Sequence, residues 1–79
     1  MDVLSKARKV IGVKQTKRAL ENGEAVQVFF ARDAEARLTA PVRALCEASG
    51  VPLLEVESMR ALGQACGIAV GAAVAAILR

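Results

Sequence analysis

Histidine, tryptophan and tyrosine are absent from the 79 residues, and aromatic side chains are limited to Phe29 and Phe30. Without an imidazole, Ser–His and Cys–His nucleophile pairs and histidine general acid–base chemistry are excluded. Both phenylalanines lie in a stretch that reads as buried, so a sheet that stacks nucleobases on exposed aromatic rings is excluded as well. Cysteine is scarce: Cys46 and Cys66 stand alone, without a CxxC pair or a histidine, which fits neither a zinc site nor a disulfide framework. They read as reduced, buried thiols of a cytoplasmic protein. Neither GxGxxG nor GxxxxGK[ST] occurs, which disfavours dinucleotide and nucleoside triphosphate binding. The most apolar stretch, residues 65–78, is shorter than the roughly 20 residues that a membrane helix needs. Residues 1 and 2 lead directly into an amphipathic pattern, so no signal peptide is expected. These absences point to a cytoplasmic, non-catalytic protein without cofactor or metal.

What is present is a core of Val, Leu, Ile and Ala in a chain of single-domain size, residues 1–79. Charge is unevenly spread. Lys6, Arg8, Lys9, Lys14, Lys17 and Arg18 face only Asp2 in the first 18 residues, whereas the remainder is balanced or slightly acidic. A basic lobe on a neutral body fits a polyanionic partner.

Asp2 can cap a first helix, with Val3, Leu4, Ala7, Val10 and Ile11 on one face. Val10 and Ile11 fit a short extended segment equally well. A second helix is expected over residues 14–22, entered through Gly12 and closed by a left-handed Gly23; Val13, Thr16 and Leu20 share its inner face. Its amino-terminal half carries Lys14, Lys17 and Arg18, cations towards the end of a helix that attracts anions. Such an arrangement makes sense if an external anion completes it.

Residues 25–31 (AVQVFFA) read as a strand covered on both faces. Residues 33–38 read as a single turn, and Thr39 as the cap of a main helix running to Ser49, with Pro41 in its first turn. Leu38, Val42, Leu45 and Cys46 form its expected buried side, and Gly50 ends it. A short strand over 53–56 follows Pro52. Ser58 then caps a brief helix over 59–66, with Met59, Leu62 and Cys66 inward. Gly63, Gly67 and Gly71 read as turn and tight-packing positions, and Glu55 and Glu57 as solvated strand-end charges. Residues 68–78 are balanced between an alanine-rich helix and a buried strand. The alternation of elements predicts an α/β sandwich.

Lysine, glutamine and arginine at a helix start suit a folded RNA, because backbone amides meet phosphate while long polar side chains reach base edges. Gln15 can make bidentate contacts, and Lys14 and Arg18 are the residue types that reach guanine O6 and N7.

Several segments carry a resemblance: G-V-K-Q-T-K-R-A-L at 12–20, A-R-D-A-E at 31–35, L-C-E at 45–47, and V-P-L-L-E-V-E-S-M-R-A-L-G-Q-A-C-G-I at 51–68. Taken together they resemble the kink-turn RNA-binding, L7Ae-like ribosomal-protein family, and within it the short bacterial YbxF-type members. The resemblance covers essentially the whole chain in order. It implies a three-layer α-β-α sandwich around a small mixed sheet, with residues 72–78 as the last strand. It also implies that Gly12, Val13, Lys14, Gln15, Lys17 and Arg18 enter the groove of a kinked RNA at tandem sheared G·A pairs. Val56, Glu57, Ser58 and Met59 match a second loop that packs on the unpaired nucleotides, and Glu35 matches a residue that holds an extruded base. Archaeal and eukaryotic members usually have Asn-Glu where this chain has Lys14-Gln15, and often a basic residue or proline near Glu57. The implied partner is a kink-turn in ribosomal or riboswitch RNA, bound by a monomer. Two rival readings of the basic lobe are a module for an acidic protein partner and a binder of some other structured RNA.

Overall fold

The structure, a computed structural model, describes residues 6–79. Its elements alternate: β1 (Lys9–Ile11), α1 (Val13–Glu21), β2 (Ala25–Ala31), α2 (Ala36–Ser49), β3 (Leu53–Val56), α3 (Met59–Cys66) and β4 (Val74–Leu78). The expected helix capped by Asp2 and carrying Val3 and Leu4 lies outside the described residues. Val10 and Ile11 take the extended alternative and pair with Ala76 and Ala75 of β4.

The four strands lie in the order β1-β4-β2-β3. Strand β4 runs antiparallel to both β1 and β2, and β3 runs parallel to β2. Successive side chains of a strand point to opposite faces, and this chain uses both faces. Phe29, Ala31, Ala75 and Ile77 face Leu62 and Cys66 of α3 on one side. Val28, Phe30, Val74 and Ala76 face Ala19 and Leu20 of α1 and Val42 and Cys46 of α2 on the other. The result is the expected three-layer α-β-α sandwich around a mixed sheet. It also resolves residues 68–78: β4 is buried on both faces and has no polar side chain, the environment in which a continuous apolar run forms a strand.

Local rules explain most boundaries. Helix α1 closes with Glu24 N–H donating to Ala19 O (2.9 Å) and Gly23 N–H to Leu20 O (3.2 Å) around a Gly23 of φ 70°. This double closure needs the left-handed conformation that glycine adopts without strain. Ser58 caps α3 as expected, its Oγ accepting from Ala61 N–H at 3.0 Å.

Helix α2 departs from expectation at its start. It begins at Ala36, not after Thr39, because the extended Glu35 offers its carbonyl to both Leu38 N–H (2.9 Å) and Thr39 N–H (3.3 Å). Pro41 therefore falls in the second turn. The hydrogen bond it cannot donate would have gone to Arg37 O, and both residues are exposed, so water can replace it. The phase of the helix turns Leu38 outward (41% exposed) and Thr39 inward, where its hydroxyl donates to Ala36 O at 3.3 Å. Leu45 is half-buried, while Val42 and Cys46 are buried as expected. No helix among the described residues is long and apolar enough to cross a membrane.

Burial raises the pKa of both cysteines, and the charge of Lys9 partly offsets this at Cys66. A thiol whose folded pKa lies above its unfolded value of about 8.5 adds stability below that pH, and the contribution fades as pH rises through the folded value. Denaturant midpoints should therefore fall above about pH 8.5, and Cys46→Ala should flatten the decline.

One buried polar group is unmatched. Thr16 is fully buried and its Oγ1 has no hydrogen-bond partner. An unpaired buried hydroxyl costs about 1–3 kcal/mol, so the near-isosteric Thr16→Val should raise unfolding stability by roughly 1 kcal/mol. The check is a higher urea midpoint at unchanged slope.

Candidate nucleic-acid interface

The topology directs the loops to one edge. Because β1, β2 and β3 run in one direction and β4 in the other, the ends of the first three strands and the start of β4 coincide. Each of α1, α2 and α3 follows a strand of the parallel set, so all three begin at this edge. In open α/β sheets, the carboxyl ends of parallel strands are where ligands bind. Backbone hydrogen bonds tie the loops together there. Gly12 N–H donates to Val74 O, Ala31 N–H to Ala73 O, and Arg32 N–H to Val56 O, each at 2.8 Å.

The first half of the edge is the start of α1. Gly12 has φ 108° and ψ 157°, a conformation that side chains rarely adopt, and its carbonyl accepts from Thr16 N–H at 3.0 Å. No side chain caps this end and no acidic residue stands in its first turn. Thr16, Ala19 and Leu20 anchor the helix in the core; Val13 and Lys17 are half-buried, and Lys14, Gln15 and Arg18 are exposed. None of the Lys14, Gln15, Lys17 and Arg18 side chains has a hydrogen bond or ion pair. Two recesses flank the helix. One, of about 390 Å³, is lined by Val13, Lys14, Lys17, Arg18 and Glu21. The other, of about 170 Å³, includes Val10, Gln15, Arg18 and Asn22. Arg18 borders both and forms the ridge between them.

The second half lies across the sheet, roughly 14 Å away at three strand spacings. Val56 closes β3 with its side chain in the core, so it supports this loop without presenting a side chain. Glu57 is exposed, and Ser58 spends its oxygen on the helix cap. Met59, expected inward, is 37% exposed at the first position of α3; Leu62, Gly63 and Cys66 carry the buried face instead. Its N–H donates to Asp33 Oδ1 at 2.7 Å, and its carbonyl accepts from Ala72 N–H at 3.0 Å. Glu35 is exposed before α2 and accepts from Arg37 Nε at 2.8 Å. Arg32 and Glu55 pair at 3.0 Å. The two halves thus differ in charge: cations without partners at α1, and a mixed set at the β3 side, where Asp33, Glu35, Glu55 and Glu57 stand with Arg32, Arg37 and Arg60. Among the described residues no group of acidic or cysteine side chains could hold a metal ion.

Sequence reasoning missed the loop before β4. Val70 is 70% exposed, the most exposed large apolar side chain among those described, and it sits beside α3 at the same edge. The glycine spacing held the clue. A Cβ on Gly63 would overlap the Val70 carbonyl, and one on Gly71 would press within 3.2 Å of Met59 Cβ. Gly63→Ala should therefore cost about 1–3 kcal/mol of stability. It should shift the amide resonances of residues 69–73 more than those of α1.

Comparison with known proteins gives a consistent picture. The family model described as the ribosomal protein L7Ae/L30e/S12e/Gadd45 family matches residues 1–79. The chain is 49% identical over 77 residues to the RNA-binding protein YbxF of Geobacillus stearothermophilus, covering 98% of this chain and 94% of that protein. An RNA-binding protein of Bacillus pumilus is 46% identical over 78 residues, with 98% and 95% covered. Among solved structures, the Giardia lamblia 15.5kD RNA binding protein superposes with a TM-score of 0.90 at 27% identity, over 99% of this chain and 69% of that one. A protein of unknown function from Bacillus halodurans shares the fold at the same TM-score and 22% identity, over 99% of this chain and 82% of that one.

Proposed function

The chain belongs to the ribosomal protein L7Ae/L30e/S12e/Gadd45 family, and from that premise we propose that it is a non-catalytic RNA-binding protein that recognises and stabilises kink-turns. The observation that carries this reading is the start of α1. Lys14, Gln15 and Lys17 stand there without partners, on a helix end that itself favours anions, and Arg18, in the last turn, extends the same unpartnered cationic surface. The names of its relatives as RNA-binding proteins support the class of partner.

The mechanism follows from the division of the edge. The major groove of regular A-form RNA is too deep and narrow for side chains to read, whereas a kink with tandem sheared G·A pairs opens it. Helix α1 enters the opened groove. Its unpaired first-turn amides and Lys17 meet phosphate, Lys14 and Arg18 reach guanine O6 and N7, and Gln15 makes paired contacts to a base edge. Gly12 and Val13 set the entry of the helix. Across the edge, phosphate is disfavoured by Glu57 and Glu35, whose carboxylates instead accept from nucleobase N–H groups. Met59 and Val70 supply apolar surface for an unstacked base, with Val56 and Ser58 holding the loop beneath. Binding free energy made only with the kinked form shifts the RNA towards it. In this reading a single-domain monomer acts in the cytoplasm, on ribosomal or riboswitch RNA.

Gel shifts with a kink-turn duplex, and with a duplex whose G·A pairs are replaced by Watson–Crick pairs, test the reading. Preferential binding to the kink-turn is expected; equal binding to both would overturn it in favour of a general electrostatic interaction. Gln15→Ala and Arg18→Ala should each weaken kink-turn binding by about 1–3 kcal/mol. Arg79→Ala, at the opposite end of the sheet, should change it little. Affinity should fall roughly forty-fold between 50 and 200 mM salt if about three phosphates are contacted.

A further inference from the structure

Strand β2 leaves the sheet through a turn closed by Ala34 N–H donating to Ala31 O at 3.1 Å. Asp33, the third residue of that turn, is exposed, yet its carboxylate is engaged. Oδ1 accepts from Met59 N–H at 2.7 Å, a contact across 26 positions of sequence. That amide opens α3 and is one of the donors a helix leaves without a partner of its own. Ser58 Oγ serves the amide of Ala61, so Asp33 supplies what the cap residue does not, and its charge stands at the positive end of the helix. The Met59 carbonyl then accepts from Ala72 N–H at 3.0 Å, and the Gly71 backbone lies against Met59. Met59 is thus gripped on both sides of its peptide unit. One grip leads to the turn that carries Glu35 two residues after Asp33, and the other to the loop that carries Val70.

Resting on the RNA-binding reading of this edge, we infer that Asp33 is a positioning residue for recognition. Its carboxylate registers Met59, and through Ala72 the Val70 loop, against Glu35, so that three separate segments meet the RNA as one preformed surface. A surface ordered before binding loses less conformational freedom on association. The sheet does not depend on this bond. Arg32 N–H to Val56 O, Ala31 N–H to Ala73 O and the Arg32–Glu55 pair hold β2, β3 and β4 together without it.

A double-mutant cycle on kink-turn duplex binding tests the inference, run below the melting temperature of every variant as monitored by circular dichroism. Asp33→Ala should weaken binding about tenfold, whereas Asp33→Asn, which keeps an oxygen able to accept from Met59, should stay within about threefold of the unmodified chain. Val70→Ala should weaken binding on its own but add little in the Asp33→Ala background, while Lys14→Ala should add its full factor there. Unchanged affinity in Asp33→Ala overturns the inference. So does full additivity with Val70→Ala, or a Val70→Ala variant that binds normally by itself. Each of those results leaves the kink-turn reading standing if the unmodified chain still prefers the kink-turn to its Watson–Crick control. Loss of that preference overturns the reading and the inference with it.

Discussion

Everything at the candidate interface depends on one strand running against its neighbours. Strand β4 lies between β1 and β2, antiparallel to both, and is buried on both faces. The hydrophobic effect places it there, since its side chains are all apolar and small ones predominate. Small residues matter on both sides. Ala75 meets the layer of α3 and Ala76 the layer of α1 and α2, which lets helices on both faces approach a sheet that has only two aromatic rings to fill space. With β4 reversed, the other three strands can end at one edge, and the three helices must begin there.

That edge is not uniform, and the difference between its halves sets the division of labour. At α1 none of Lys14, Lys17 and Arg18 forms an ion pair, although Glu21 lines the same recess, so their charge stays available to a partner. At the β3 side two arginines are matched, Arg32 to Glu55 and Arg37 to Glu35, while Arg60 at the start of α3 is exposed. Exposed pairs of this kind add little stability; here they offset positive charge in the half where Met59, Val70 and Glu57 are exposed.

Much of this was legible in the residues. The bounds of β2, β3 and α3 follow from residue type and punctuation alone, and the unusual start of α1 is visible as misplaced cations. Residues 68–78 were not decidable, because alanine favours helix in isolation while burial on both faces favours strand; only the neighbouring strands settle it. The start of α2 was misjudged because Pro41 was expected in a first turn, although an exposed proline is tolerated one turn later. The same error exchanged Leu38 and Thr39: a threonine that satisfies its hydroxyl on its own helix packs like an apolar residue. Val70 was invisible because an apolar residue in an apolar run reads as core. It is 70% exposed on a loop whose backbone Gly63 lets approach α3 closely.

The position of β4 also governs when this architecture can exist. Strand β1 pairs within the described sheet only with β4, whose Ala75, the partner of Ile11, lies 64 residues further on. Parallel pairing of β2 with β3 can form early, as a crossover unit with α2. A chain still being synthesised lacks the strand that joins this unit to β1, and its β2 edge stays open. Fold and interface are therefore completed together, when the last strand inserts. A chain interrupted before residue 74 would carry the basic helix without the frame that aims it.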